Sequence, residues 1–180
     1  MFETACIPMI IQRAALKREI DGNESHSVAD LSLLIEPFGH GLAGELGAHI
    51  QAHLFTDDAM RPEVEKATLG LRVPDQRVIV ASAPDAPTLA ELKSVSIGSL
   101  IVSRRETEDR AWYRAVIEAR IDLRERAVRE FLFHHFGELR VFTFMDEQMA
   151  MPFDGHHATL TDADGHVLAE WNGGNGEATH

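Results

Sequence analysis

Apolar and polar residues alternate from Trp112 to Leu123. Tyr113, Ala115, Ile117, Ala119, Ile121 and Leu123 take the odd positions, with Arg114, Glu118, Arg120 and Asp122 between them. A period of two is that of a strand with one buried face. At Asp122 the period changes. Asp122 stands three residues before Glu125, a capping-box spacing, and a helix is predicted over 124–136. Its stripe is Ala127, Val128, Phe131, Leu132, His135 and Phe136, and Gly137 is placed to end it. Leu139 to Met145 resumes as a strand.

The rest of the chain carries weaker versions of the same patterns. Met1 to Ile20 fits either a helix stripe or a poorly alternating strand, and the Asp21-Gly22-Asn23-Glu24-Ser25 cluster reads as a turn. Ala29, Leu31, Leu33 and Ile35 alternate with polar residues up to Pro37, so a hairpin is expected over 9–36. Leu42, Leu46, Ile50 and Leu54 lie four apart and predict a helix over 42–55. Strands follow near 64–73, 77–83 and 93–103, with a turn at Pro74-Asp75-Gln76. Asp164-Gly165 lies between strands 158–161 and 166–171, a hairpin signal. Asn172 to His180 holds three glycines and no core former, so a flexible tail is expected.

These elements predict an α+β fold: a largely antiparallel, twisted sheet with two packed helices. It forms one domain over 1–171, with a core at 28–146 and a C-terminal hairpin at 157–171. In order, the elements also read as βαβββ twice, without a residue-level repeat. That order is similar to a DNA sliding-clamp domain, which implies a replication or recombination accessory. A clamp lines its channel with basic helix faces, whereas no Lys or Arg occurs between 42 and 55. A second resemblance is carried by Ala29-Asp30-Leu31 to Pro37, Leu42 to Leu46, Leu71-Arg72-Val73-Pro74-Asp75-Gln76-Arg77-Val78 and Ala83-Pro84-Asp85. Over residues 7–146 the chain resembles small α+β proteins of bacteriophage and prophage genomes, which implies a viral accessory role.

Charge narrows the partners. The net charge of −12 over 180 residues disfavours a general nucleic-acid surface, which must neutralise phosphates with Lys and Arg. Arginines nevertheless gather between 104 and 129, and Arg124, Arg126 and Arg129 are the candidate DNA-contacting set; a solvated face paired with Glu and Asp is the plainer reading. A single cysteine, Cys6, excludes an intramolecular disulfide and is expected to be a small buried residue. With neither a signal-peptide pattern nor a membrane-spanning run, a soluble cytoplasmic protein is expected (host cytoplasm if phage-encoded).

Ten histidines raise the question of metal. Glu45, His49 and His53, spaced i, i+4, i+8, would project from one side of a helix towards one divalent ion, with His40 as a fourth ligand, in a metal-dependent hydrolase. Amphipathic boundary residues explain the same pattern. His134-His135 and His156-His157 with Asp154 form a looser cluster, and Asp162-Ala163-Asp164-Gly165 resembles a calcium loop that the hairpin turn already explains. No nucleophile elbow, phosphate loop or S-x-x-K motif is present. Bulky residues on both faces of strand 139–145, with Phe133 off the helix stripe, mark Phe133, Phe142 and Phe144 as a candidate interface. The leading expectation is a non-enzymatic phage-type accessory protein acting by protein–protein interaction or assembly, as a homo-oligomer or with a protein partner.

Overall fold

Strand β1 (Cys6–Asp21) pairs with β2 (Glu24–Phe38) through a turn in which Gly22 adopts φ 59°. The ladder slips by one residue between Ile11 and Arg13. This bulge at Gln12 explains the poor alternation of the N-terminal sequence: the inner face runs Met9, Ile11, then Ala14, Leu16. The computed structural model describes residues 6–38, 50–56, 59–61, 63–145 and 158–171. Its further strands are β3 (Phe55–Thr56), β4 (Ala59–Met60), β5 (Lys66–Ala81), β6 (Thr88–Glu106) and β7 (Ala111–Asp122). Helix α1 (Arg126–His135), β8 (Leu139–Phe144), β9 (Ala158–Thr161) and β10 (Val167–Trp171) follow.

The main sheet runs β10-β9-β5-β6-β7-β2-β1-β8, and β8 also pairs with β5. That last pairing closes six antiparallel strands into a barrel, with β9 and β10 appended to the first half of β5. Strand accounts for 68% of the structure and helix for 11%, so the fold is a closed β-barrel and the expected α+β sheet with two packed helices is corrected. The clamp-like duplication falls with it. Two predicted strands, 64–73 and 77–83, are one continuous β5 that absorbs Pro74-Asp75-Gln76 as an irregularity, with Asp75 at φ 51° and repeated register shifts between Gly70 and Val78. Residues 50–54 are helical, while the first part of the helix predicted at 42–55 lies outside the described residues.

The lumen is filled by side chains. Ala29, Leu31, Leu33 and Ile35 of β2 face Ile121, Ala119, Ile117 and Ala115 of β7, which in turn meet Ile97, Leu100 and Val102 of β6. Phe142 and Phe144 fill the seam opposite Val80 and Val78, and are 2% and 3% exposed. Burying side chains of this size stabilises by roughly 1.5–3 kcal/mol each. Small Ala115 and Ala119 beside Leu and Ile let the layers interdigitate.

Each mouth is stopped by an excursion of the chain. At one, Ile50 and Leu54 are fully buried. The Tyr113 hydroxyl donates to the Arg61 carbonyl at 2.8 Å and lies 3.3–3.4 Å from the Val64 and Leu54 carbonyls, while Phe55 meets its ring edge-on at 5.4 Å. At the other, α1 buries Val128, Phe131 and Leu132. The expected capping box is absent: Glu125 makes no side-chain cap, and Asp122 instead accepts the Arg124 N–H at 2.8 Å. Gly137, at φ 79°, stops the helix as expected and donates to the Ile11 carbonyl at 3.0 Å.

Burial, with the Glu63 charge second, pushes the Tyr113 hydroxyl up to about 12. A pKa higher in the folded state than in the unfolded chain means that stability is intact below pH 10 and lost as pH rises from 10 towards 12. Tyr113→Phe should cost about 1–3 kcal/mol at neutral pH, because the plug carbonyls lose their donor. It should also flatten the alkaline loss, as read by denaturant melts at pH 8 and pH 11.

Candidate functional site

Closure of the barrel is unequal along β1. β8 pairs with Cys6–Ile10 only, whereas β1 runs on to Asp21 against β2. Beyond the Gly137 contact at Ile11, no strand among the described residues covers the outer edge of residues 13–21. The hairpin therefore overshoots the barrel, and its inner face loses the opposing wall. Leu16 is 73% and Ile20 78% exposed, although across the bulge they lie on the same face of the strand as buried Ile11.

Helix α1 forms the facing bank. Ala14, Leu16, Leu123, Leu132, Phe133 and Phe136 line an apolar groove of about 470 Å³, in which Arg129 is the one charged liner. Phe133 is 85% exposed and packs edge-on against His134 at 5.4 Å. Exposed apolar residues contiguous over two elements mark an interaction surface rather than scattered surface leucines.

The outer wall beside this edge is polar. Arg120 donates to Asp30 at 2.8 Å and to Glu19 at 2.5 Å, and Lys17 pairs with Asp30 from the other side. The Arg120 hydrogen bond, then that of Lys17, holds the Asp30 carboxyl below its usual range. Ser32, almost fully buried, donates to both Glu118 carboxylate oxygens at 3.0 and 3.1 Å. Asp30, Ser32, Glu118 and Arg120 line a shallow trough of about 600 Å³ with Ser96, Gly98 and Arg13. Arg13 is exposed and pairs with no carboxylate among the described residues.

The structure redistributes the sequence candidates. Phe133 lies on the groove, but Phe142 and Phe144 fill the barrel and are corrected as interface residues: the two-faced apolar strand seals a lumen. Arg124 pairs with Asp122 at 2.6 Å and Arg126 with Glu130 at 2.6 Å. Arg129 donates to the carbonyls of Leu123 and Arg124 at 2.5 and 2.8 Å. Two of the three candidate DNA-contacting charges are thus paired. Glu45 and His49 lie outside the described residues, as do His40, Asp154, His156, His157 and the 172–180 tail; His53 is half-buried on the helical residues 50–54. His135 stacks on Phe131 at 5.1 Å and accepts from Arg140 at 3.3 Å. Cys6 is exposed, contrary to expectation, with Sγ 3.3 Å from the Thr143 hydroxyl.

Asp162, Asp164 and His166 bring ligand atoms within 4.8 Å of one another. The Asp162 carboxylate, however, accepts the backbone N–H groups of Asp164 and His166 at 2.9 Å each. That is the β9–β10 turn, as expected. Among the described residues no helix is long and apolar enough to cross a membrane. Comparison with known proteins finds no matching family model, curated protein or solved structure.

Leu16, Ile20 and Arg13 escape sequence reasoning because the bulge hides their face. The signal for them is a sixteen-residue strand closed by a six-residue one, which becomes readable only once the register is known.

Because the folded-state pKa of Asp30 is depressed, its pairs add stability that is present above the unfolded value near 3.8 and lost as pH falls below it. Asp30→Asn should lower stability at pH 7 and leave a flatter acid limb below pH 4, measured by thermal melts at both pH values.

Proposed function

We propose that the chain is a non-enzymatic accessory protein of bacteriophage type that works by assembly, and that the first partner of its groove is a second copy of itself. The observation that carries this reading is the apolar groove with Leu16 and Phe133 on its banks, exposed by 73% and 85%, together with Ile20, 78% exposed further along the same face of β1. The viral part rests on the sequence resemblance over residues 7–146.

Magnitudes favour a symmetric contact. Burying three such side chains stabilises by roughly 1.5–3 kcal/mol each, which one copy alone sets against an association cost of about 4–15 kcal/mol. A twofold arrangement buries the same set twice and moves the balance towards a stable pair. Charge supports this choice. The chain is strongly acidic, yet Arg129 lines the groove and Arg18 lies between Leu16 and Ile20 on the same face of β1, so acidic residues of another copy meet cations there.

Light scattering coupled to size exclusion tests the reading. The wild type should run at about twice the 20.0 kDa chain mass. Phe133→Asp and Ile20→Asp, both at exposed positions, should lower the mass to that of one chain without lowering the melting temperature. A wild type that stays monomeric at every concentration overturns the proposal.

A further inference from the structure

From the open edge of β1 we infer how two copies join: residues 13–19 of one chain add antiparallel to residues 13–19 of the other, about a twofold axis at Leu16. This rests on the assembly reading above and specifies its contact. Among the described residues no strand pairs with this edge, the arrangement that promotes strand addition. Beyond it stand the exposed rings of Phe133 and Phe136, ready to cover whatever lies against the inner face.

The register follows from side-chain chemistry and from the Gly137 contact at the Ile11 carbonyl, which cuts short a ladder centred on Ala14. A twofold axis normal to the sheet keeps the two inner faces on the same side, so its centre must fall on a residue. Residues directly opposite one another then sum to a constant, and like charges placed opposite are destabilising. Centring on Ala15 sets Arg13 against the other copy's Lys17. Centring on Lys17, Arg18 or Glu19 sets that charged residue against itself. Centring on Leu16 opposes no like charges. It joins Leu16 to Leu16, Ala15 to Lys17 and Ala14 to Arg18. It also places Arg13, which lines the outer trough and pairs with no carboxylate among the described residues, opposite Glu19. Glu19 already accepts from Arg120, so Arg13 of the other copy would extend the Lys17–Asp30–Arg120–Glu19 chain across the junction. On the inner face the same register carries Ile20 past the barrel end of the other copy, towards Phe133 and Phe136.

The test is charge complementation between two variants of the full chain. Arg13→Glu alone sets Glu against Glu at both ends of the junction, and Glu19→Arg alone sets Arg against Arg. Each should weaken self-association at least tenfold and run as a monomer by light scattering. Mixed in equal amounts they should form a heterodimer, because both contacts are then Glu with Arg. Leu16→Glu, which places two carboxylates on the axis, should give a monomer that no mixing rescues. Circular dichroism melts verify that each variant is folded. If Glu19→Arg does not fold, the masses of Arg13→Glu and Leu16→Glu decide. A dimeric wild type whose mass survives these substitutions but falls on Phe133→Asp overturns the strand-addition contact and leaves the assembly reading standing. A monomeric wild type overturns both.

Discussion

The structure depends on one closure: β8, six residues long, must hydrogen-bond to β1 on one side and β5 on the other. Six residues of strand cover about 20 Å, at roughly 3.3 Å per residue. Their neighbours in the barrel are sixteen residues long. A short staple on long staves pairs only with the start of β1 and the end of β5, and leaves the rest of both edges to other devices. On the β5 flank, β9 takes up the free edge at Thr68–Leu71. On the β1 flank, no described strand does so.

That difference explains where the aromatic residues sit. Within β8, Phe142 and Phe144 lie at the seam, where two strands meet across a lumen that must be filled. The mouths need different plugs. Tyr113 binds the 50–64 excursion through its hydroxyl, and α1 reaches from the end of β7 to the start of β8 beneath the other mouth. The helix is short and turns only Val128, Phe131 and Leu132 inward. Phe133 and Phe136 are left over, on the side where the β1–β2 hairpin overshoots. An apolar residue that a small barrel has no room to bury is then available for contact with another chain.

Much of this is legible in the sequence, and the failures share a cause. The alternation of β7, the turn glycines Gly22 and Gly165, and the helix stop at Gly137 all depend on local chemistry, and each appears where the pattern puts it. Sheet closure depends on register, which no local pattern reports. Bulges at Gln12 and along Gly70–Val78 change parity inside single strands. They turn one long β5 into two apparent strands and blur β1 into an ambiguous segment. The false duplication follows from this, since cutting long staves at their bulges manufactures extra elements. Phe142 and Phe144 mislead for a related reason: a strand apolar on both faces reads as needing an external cover until the barrel itself supplies one.

The same bulge links fold to contact. Without the extra residue at Gln12, the alternation set by Met9 and Ile11 would continue through Arg13, Ala15, Lys17 and Glu19, and Leu16 and Ile20 would turn to the outer wall. The ion-pair network of Lys17, Asp30, Arg120 and Glu19 would then lose two of its members to the barrel mouth. One inserted residue thus does two things to the overshooting hairpin: it gathers Arg13, Lys17 and Glu19 on the outer face and brings Leu16 and Ile20, with Arg18 between them, to the face beside α1. An edge with charge on one face and aliphatic side chains on the other has the two-faced character of an internal barrel strand, and among the described residues no strand neighbours it along one side.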